Sequence, residues 1–351
     1  MQTVSDHITA VDVKAIGPSE TSAWDDYVAR HVSDALFFRA DWDKPFQTYR
    51  LTVERLAAFR DGTIVGVLPL VHQRSLLFGK HMVSLPWFDT CGLLADDVES
   101  RDGLLAEAVN RAAQRGVDEV QLRQREPAEI SDYVRTDKVL MQLELPATGE
   151  ELWDGFSPKV RNQIRKGQKA GVTVESGGRE LLDDFFNVYS VNMRDLGSPA
   201  HSRRFFQAVL DAFPEEATVH VARLEGTAIG GGFTMSNGAA WEIPWASSLR
   251  TYNKLCINHV MYWHMLEQAC IAGATSFRFG RSTPGSGTFK FKKQWGAQPV
   301  NLYWYLLPAK PGMVPDMSPP KESYGKAAQI WQKLPVWLTR IIGPQIIRKV
   351  A

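Results

Sequence analysis

Cysteine is scarce in this chain. The 351 residues include 3 cysteines, Cys91, Cys256 and Cys270; none forms a CxxC pair or a Cys/His ligand spacing, which excludes a disulfide framework and a zinc module. No run reaches the ~18 uninterrupted apolar residues of a membrane-spanning helix. The opening stretch MQTVSDHITAVDV has no basic start leading into an apolar run, so no secretory signal is expected. GxSxG, Walker and GxGxxG motifs are all missing. The 8 histidines give no triad or metal spacing, and His259 and His264 share a face poorly on a predicted helix. These absences point to a reducing, cytoplasmic protein with no metal, no bound cofactor and no covalent serine or cysteine chemistry.

What is present is ordinary in bulk and uneven in detail. Hydrophobic residues make up 44% and charged residues 23%, with a net charge of +1, the composition of a soluble globular protein. At 351 residues two packed domains are expected. Residues 11–16 read as a strand, 23–32 as a helix, and RLAAFRDGTIVGVLPLVHQ as two strands around an Asp61-Gly62 turn. A helix over 98–115 and a strand over 118–123 follow. The second half repeats the series: a helix over 179–195, strands within 218–235 turning at Glu225-Gly226, a strand over 239–248, a helix from Asn253 to Ala272, and a strand over 276–280. The repetition suggests tandem copies of one α/β unit, with KVLMQLEL (138–145) bridging them. The expected divisions are 1–145, 146–307, and a proline-rich linker with an amphipathic tail over 308–351.

Three clusters carry candidate chemistry. In SPKVRNQIRKGQKAG, Ser157 and Pro158 open a helix bearing Lys159, Arg161, Arg165, Lys166 and Lys169 with no acidic residue between Asp154 and Glu175. Arg161, Asn162 and Arg165 form a fork-like donor set for phosphate, although a solvated helix face has the same composition. In FRFGRSTPGSGTFKFKKQWG, alternation puts Lys290 and Lys292 on one face of an extended segment and Phe289, Phe291 and Lys293 on the other. A lysine there can stabilise an oxyanion, and Arg281 and Ser282 lie close in sequence for orienting a donor; lysines of a hairpin facing water are the alternative. In AAWEIPWASS, Trp241, Ile243 and Trp245 alternate with Glu242 and Pro244. Glu242 is a candidate proton acceptor, or else an edge-strand carboxylate paired with an arginine. Trp241, Trp245 and Tyr262 are candidates for holding the acceptor. Gly230-Gly231-Gly232 marks a bulge or close backbone contact.

Beyond Leu307, seven basic residues (Lys310, Lys321, Lys326, Lys333, Arg340, Arg348, Lys349) face two acidic ones (Asp316, Glu322). The segment IWQKLPVWLTRIIGPQIIRKV, cut by Pro335 and Pro344, either packs back on the body or lies in a membrane interface.

Together PKVRNQIRKGQKAGVTVE, NMRDLGSPAHSRRFF, WASSLRTYNKLCINHVMYW and FRFGRSTPGSGTFKFKKQWG resemble the FemAB-like aminoacyl/acyltransferases, over roughly residues 20–350. The tail resembles the branch associated with exosortase and PEP-CTERM sorting loci and exopolysaccharide genes. The resemblance implies an α/β (α+β) chain of two tandem GNAT-like domains, each a mixed, mostly antiparallel sheet flanked by helices. It implies an N-acyltransferase that moves an aminoacyl or acyl group directly to an amine of a cell-envelope or exopolysaccharide precursor, as characterised members do from aminoacyl-tRNA. The family's Phe-Lys pair falls on Phe291 and Lys292, ahead of Trp295-Gly296. Two departures leave the donor open between aminoacyl-tRNA and acyl-CoA or acyl carrier protein. There is no long coiled-coil arm, and neither half has the R/QxxGxG/A loop that holds coenzyme A. The expected partners are therefore an activated acyl donor, with tRNA among the candidates, and an amine-bearing precursor. Peripheral contact with the inner face of the cytoplasmic membrane through the tail stays open. Rival readings are acylation of an amino sugar and a non-catalytic scaffold.

Overall fold

The Asp61-Gly62 turn closes its hairpin as the dipeptide predicts. In the computed structural model both residues have positive φ, 51° and 77°, the backbone that a two-residue hairpin needs. The structure describes residues 10–32, 34–75, 79–310, 312–315, 317 and 322–350. The opening segment 1–9, read above as lacking a signal, and the linker charges Asp316 and Lys321 lie outside the described residues.

The chain forms two compact units, each assembled from three stretches: Met1–Ala40, Thr52–Val134 and Tyr303–Pro315 in one, Asp41–Leu51, Arg135–Leu302 and Asp316–Ala351 in the other. The first unit begins with β1 (Asp12–Ala15) and α1 (Thr21–His31), while α2 (Asp43–Gln47) belongs to the second. Then come β2 (Val53–Arg60), β3 (Thr63–Ser75), β4 (Gly79–Val83), β5 (Leu94–Ala95), α3 (Val98–Gln114), β6 (Glu119–Gln124) and β7 (Val134–Arg135). The sheet runs β1-β2-β3-β4-β6 with β5 against β3. Asp97 caps α3 by accepting from Ser100 N, and α3 packs Leu104, Leu105, Ala108 and Ala112 into the core beside Leu56, Leu68 and Val120.

The second unit opens with β8 (Val139–Glu144), α4 (Gly149–Gly155), α5 (Pro158–Lys169), β9 (Thr173–Gly177), α6 (Leu182–Leu196) and α7 (Arg203–Ala212). It continues with β10 (Ala217–Leu224), β11 (Thr227–Asn237), β12 (Ala240–Ser248), α8 (Ile257–Ile271), β13 (Ser276–Ser282), α9 (Gly287–Lys293) and β14 (Gln298–Asn301). β15 (Tyr303–Pro308) returns to the first sheet between β6 and β7. The second sheet has the order β14-β8-β13-β12-β11-β10-β9, antiparallel except where β12 lies parallel to β13. The strand expected to bridge two halves is thus an inner strand of this sheet. β11 admits helices on both its faces because it is glycine-rich. A Cβ on Gly230 would lie 2.8 Å from Ile257 of α8, and one on Gly231 would lie 3.0 Å from Phe185 of α6, which is the close-contact reading of the glycine triplet.

Three expectations change. The helix expected from Asn253 to Ala272 is broken: a 3-10 turn over Arg250–Leu255 ends at Cys256, whose left-handed backbone (φ 57°) starts α8 anew. The GTFKFKK segment is helical, not extended. Ser286 caps it by accepting from Phe289 N, and the Phe291/Trp295 spacing suits a helix, so Lys290 and Lys292 do not share a face. Pro344 does not end the tail: it lies inside α11 (Val336–Ile347), which follows α10 (Glu322–Gln332). Both tail helices pack on α6, where Ala328 meets Gly197 and Arg340 donates to Ser190 Oγ and Asn187 Oδ1, each at 2.9 Å. The tail thus packs on the body through one side of each helix.

Candidate functional site

β12 and β13 pair only over Ala240–Glu242 and Ser276–Arg278, yet run on to Ser248 and Ser282. Beyond Glu242 these parallel strands part. Near the end of β12, at Ser248, lies a cavity of about 400 Å³ lined by Gln163, Asn192, Leu196, Ser248, Arg250, Asn253, Cys256, Ile257, Asn258, His259 and Phe291, all from the second unit. Among the described residues, no carboxylate lines it.

Each wall has a local cause. α5 lies against the start of α8 because Gly167 has no Cβ to strike Leu255 O, and this brings Gln163 to the cavity, where its Oε1 accepts from Cys256 Sγ at 2.6 Å. The break at Cys256 puts the beginning of α8 into the wall. Its first N–H groups, at Ile257 and Asn258, are the ones a helix leaves without intrahelical acceptors, and they carry the positive end of the helix dipole. Arg250, exposed on the preceding turn, has no ion-pair partner among the described residues. An anionic group is favoured here.

His259, in the first turn of α8, brings an imidazole to this wall. Burial, and then the Lys159 ammonium, push its imidazole down to about 4. At neutral pH it is uncharged. Gln294 Nε2 lies 3.2 Å from His259 Nε2; an amide nitrogen only donates, so Nε2 accepts and the proton resides on Nδ1. Phe291 packs edge-on against this imidazole at 5.4 Å between centroids.

The residues singled out from sequence are dispersed. Phe291 lines the cavity; Lys292 does not, and its ammonium donates to Gly280 O and Arg281 O, each at 2.9 Å, tying α9 to β13. Arg161 lies 3.7 Å from Asp154 and Arg165 lies over the Trp153 ring at 5.2 Å. Both therefore face α4. Asn162 is exposed on the same helix and, like them, is absent from the cavity wall. Neither Arg161 nor Lys292 reaches this cavity. Arg281 is exposed at the end of β13, and Ser282 is buried beside it, its Oγ without a hydrogen-bond partner among the described residues.

Glu242 is not on an edge. It occupies the middle of the sheet at 4% exposure, with Arg278 Nη1 3.9 Å from its Oε2. The alternation through this strand also fails at a bulge between the Phe233 and Met235 pairings, where Pro244, with no N–H to donate, is tolerated. Trp241 and Ile243 pack with the α8 side of the sheet, whereas Trp245 meets Phe205, Phe206 and Phe233 on the opposite side. Tyr262 is buried, stacked on Phe279 at 5.5 Å, and burial raises its hydroxyl pKa. The three proposed acceptor residues therefore do not form one surface. Missed from sequence were Gln163, Asn192, Arg250, Cys256, His259 and Gln294. No spacing announces them, although all six fall within the segments that carried the family resemblance.

Residues 156–293 match the acetyltransferase (GNAT) domain family, a span that contains every residue lining the cavity. No curated protein matches the chain. Among solved structures, it is similar to FemX (TM-score 0.60, 17% identity, 84% of this chain and 97% of that one). It is also similar to L-PGS from Bacillus licheniformis (0.57, 13%, 94% and 98%) and to a tandem GNAT protein from the clavulanic acid biosynthesis pathway (0.53, 12%, 86% and 100%). The fold is accordingly a tandem GNAT-like one, two mixed, mostly antiparallel sheets flanked by helices, with the match to an acetyltransferase domain family confined to residues 156–293.

Proposed function

We propose that the chain is an N-acyltransferase whose second unit transfers an aminoacyl or acyl group from a phosphate-bearing activated donor directly to an amine. The observation that carries this reading is the parting of β12 from β13 beside the start of α8. It leaves strand edge for a donor's acyl arm to pair with, next to first-turn N–H groups and Arg250, which suit the donor's phosphates. In this reading His259, held neutral and with Nε2 occupied by Gln294, uses Nδ1–H to stabilise the negative charge that develops on the reacting carbonyl oxygen, as a preorganised donor does. Phe291 shields it from water. The amine attacks the carbonyl carbon, the bond to the donor's leaving group breaks, and the amine's proton passes to solvent or to the leaving group. Lys292 acts by position: it fixes α9, which carries Phe291 and is followed by Gln294. A glycan or cell-envelope amine as acceptor, and placement in the exosortase-associated branch, rest on the sequence resemblance alone.

The test is a transfer assay on the full chain with labelled acyl-CoA and aminoacyl-tRNA against amine acceptors, alongside thermal shift with each donor. One donor is expected to stabilise the protein and give an amide product, and Arg250→Glu to weaken its binding at least tenfold, at about one lost phosphate contact. Neither donor stabilising the chain, together with no acylated amine by mass spectrometry, would sink the reading.

A further inference from the structure

The tail packs against α6 through one side and displays the other. α10 turns Ala328 towards Gly197, with a separation of 2.7 Å to a Cβ built there, and α11 buries Thr339, Gly343 and Pro344. On the outward sides are three large apolar residues in water: Ile330 at 65%, Trp337 at 63% and Ile341 at 61% exposure. Lone exposed hydrophobics need no explanation. Here, however, they follow helical spacing, with Lys326, Ile330 and Lys333 on one face of α10 and its end, and Trp337 and Ile341 on one face of α11. The exposed Lys349 follows α11. No acidic residue occurs from Ser323 to Ala351, against five cations. One of these, Arg340, is committed inward to α6.

We infer that this outward stripe of α10 and α11 is a docking surface for an anionic lipid bilayer, with Trp337, Ile330 and Ile341 entering the interface and Lys326, Lys333 and Lys349 lying over the headgroups. The chemistry fits that occupant. An indole is suited to the headgroup level, short amphipathic helices lie in the interface plane, and lysines near an anionic surface each add attraction. Among the described residues no helix is long and apolar enough to cross a membrane, so the contact is peripheral. A protein partner would instead need acidic residues to meet the lysines.

The test uses the full chain without donor or acceptor, so its result is independent of the acyl-transfer reading. The protein is sedimented with vesicles of phosphatidylcholine, and with equimolar phosphatidylcholine and phosphatidylglycerol. Binding to the anionic vesicles, released by salt, is expected. Lys326→Gln with Lys333→Gln should lower partitioning roughly 30-fold at low salt, about fivefold per cation. Trp337→Asp with Ile341→Asp should abolish it while the melting temperature is unchanged, since both side chains are exposed. The proposal is overturned if the wild-type chain stays in the supernatant with anionic vesicles, or if the variants bind as well as the wild type. It also fails if light scattering shows a dimer that Trp337→Asp separates while vesicle binding is absent.

Discussion

Gln294 donates from Nε2 to His259 Nε2 at 3.2 Å, so a residue just after α9 sets which nitrogen of an α8 imidazole carries the proton. The residues that mediate this relationship are the cap at Ser286, which folds GTFKFKK as a helix, and the Lys292 ammonium, which ties that helix to β13.

Removing the imidazole with His259→Ala is expected to lower kcat on the order of 100-fold, the typical loss for one preorganised oxyanion donor, with little change in KM. Gln294→Leu should lower kcat less. Gln294→Glu should move the acid limb of the kcat profile upward from about 4, because a carboxylate against Nε2 favours the imidazolium. A pH profile of all three variants reads this; an acid limb that Gln294→Glu leaves in place would contradict the role of His259 in turnover.

Glu242 and Arg278 are tested as a buried pair. Glu242→Met leaves the guanidinium of Arg278 buried against apolar surroundings, and a loss of about 3–5 kcal/mol is expected by denaturant unfolding. The double variant Glu242→Met, Arg278→Met should recover most of it. If the single variant kept wild-type stability and lost turnover, Glu242 would instead be the proton acceptor considered from the sequence.

Gly167→Ala sets helix propensity against sterics. Alanine gains about 1 kcal/mol in a helix interior, but its Cβ would sit 2.4 Å from Val260 Cγ2 and 2.7 Å from Leu255 O. Backbone oxygen cannot yield as a flexible side chain does. We expect a net loss of about 1–3 kcal/mol, read by thermal melts, and a raised KM as Gln163 leaves the cavity wall.

Acid should destabilise the second unit through His201 and His220. Burial pushes both imidazoles down to about 3 from an ordinary value of 6.5, the His264 charge adding to it at His220. The unfolded chain therefore binds protons that the folded chain refuses. The stability these groups contribute is fully present above pH 6.5 and is lost as pH falls from there through about 3. Each steepens the loss by up to about 1.4 kcal/mol per pH unit. His220→Gln, which keeps polar groups for Ser176 and Thr234, should flatten the slope in a pH series of urea melts.

Local signals were legible wherever a residue's own chemistry fixes the backbone. Asp61-Gly62 and Glu225-Gly226 turn as read, with φ of 51°, 77°, 50° and 79°, and Ser157 caps α5 by accepting from Val160 N. The tandem α/β organisation followed from such signals in series. The errors came where two periods competed. FKFKK alternates like a strand, yet its cap and the Phe291/Trp295 spacing favour a helix, and AAWEIPWASS alternates until a bulge turns Trp245 to the other face.

The sequence by itself determined the hairpin turns, the capped helix starts and the α/β pattern of most elements, because propensity, capping and turn chemistry act over a few residues. Only the tertiary structure decided which side chains share a cavity. Charge was a poor guide to that: Arg161 and Lys292 were singled out for their charge, but one is engaged by Asp154 and the other by backbone carbonyls, while Arg250 and His259 were brought to the wall by a left-handed break at Cys256. Where two strands part and where a helix restarts depend on packing between segments far apart in the chain, which no local pattern encodes.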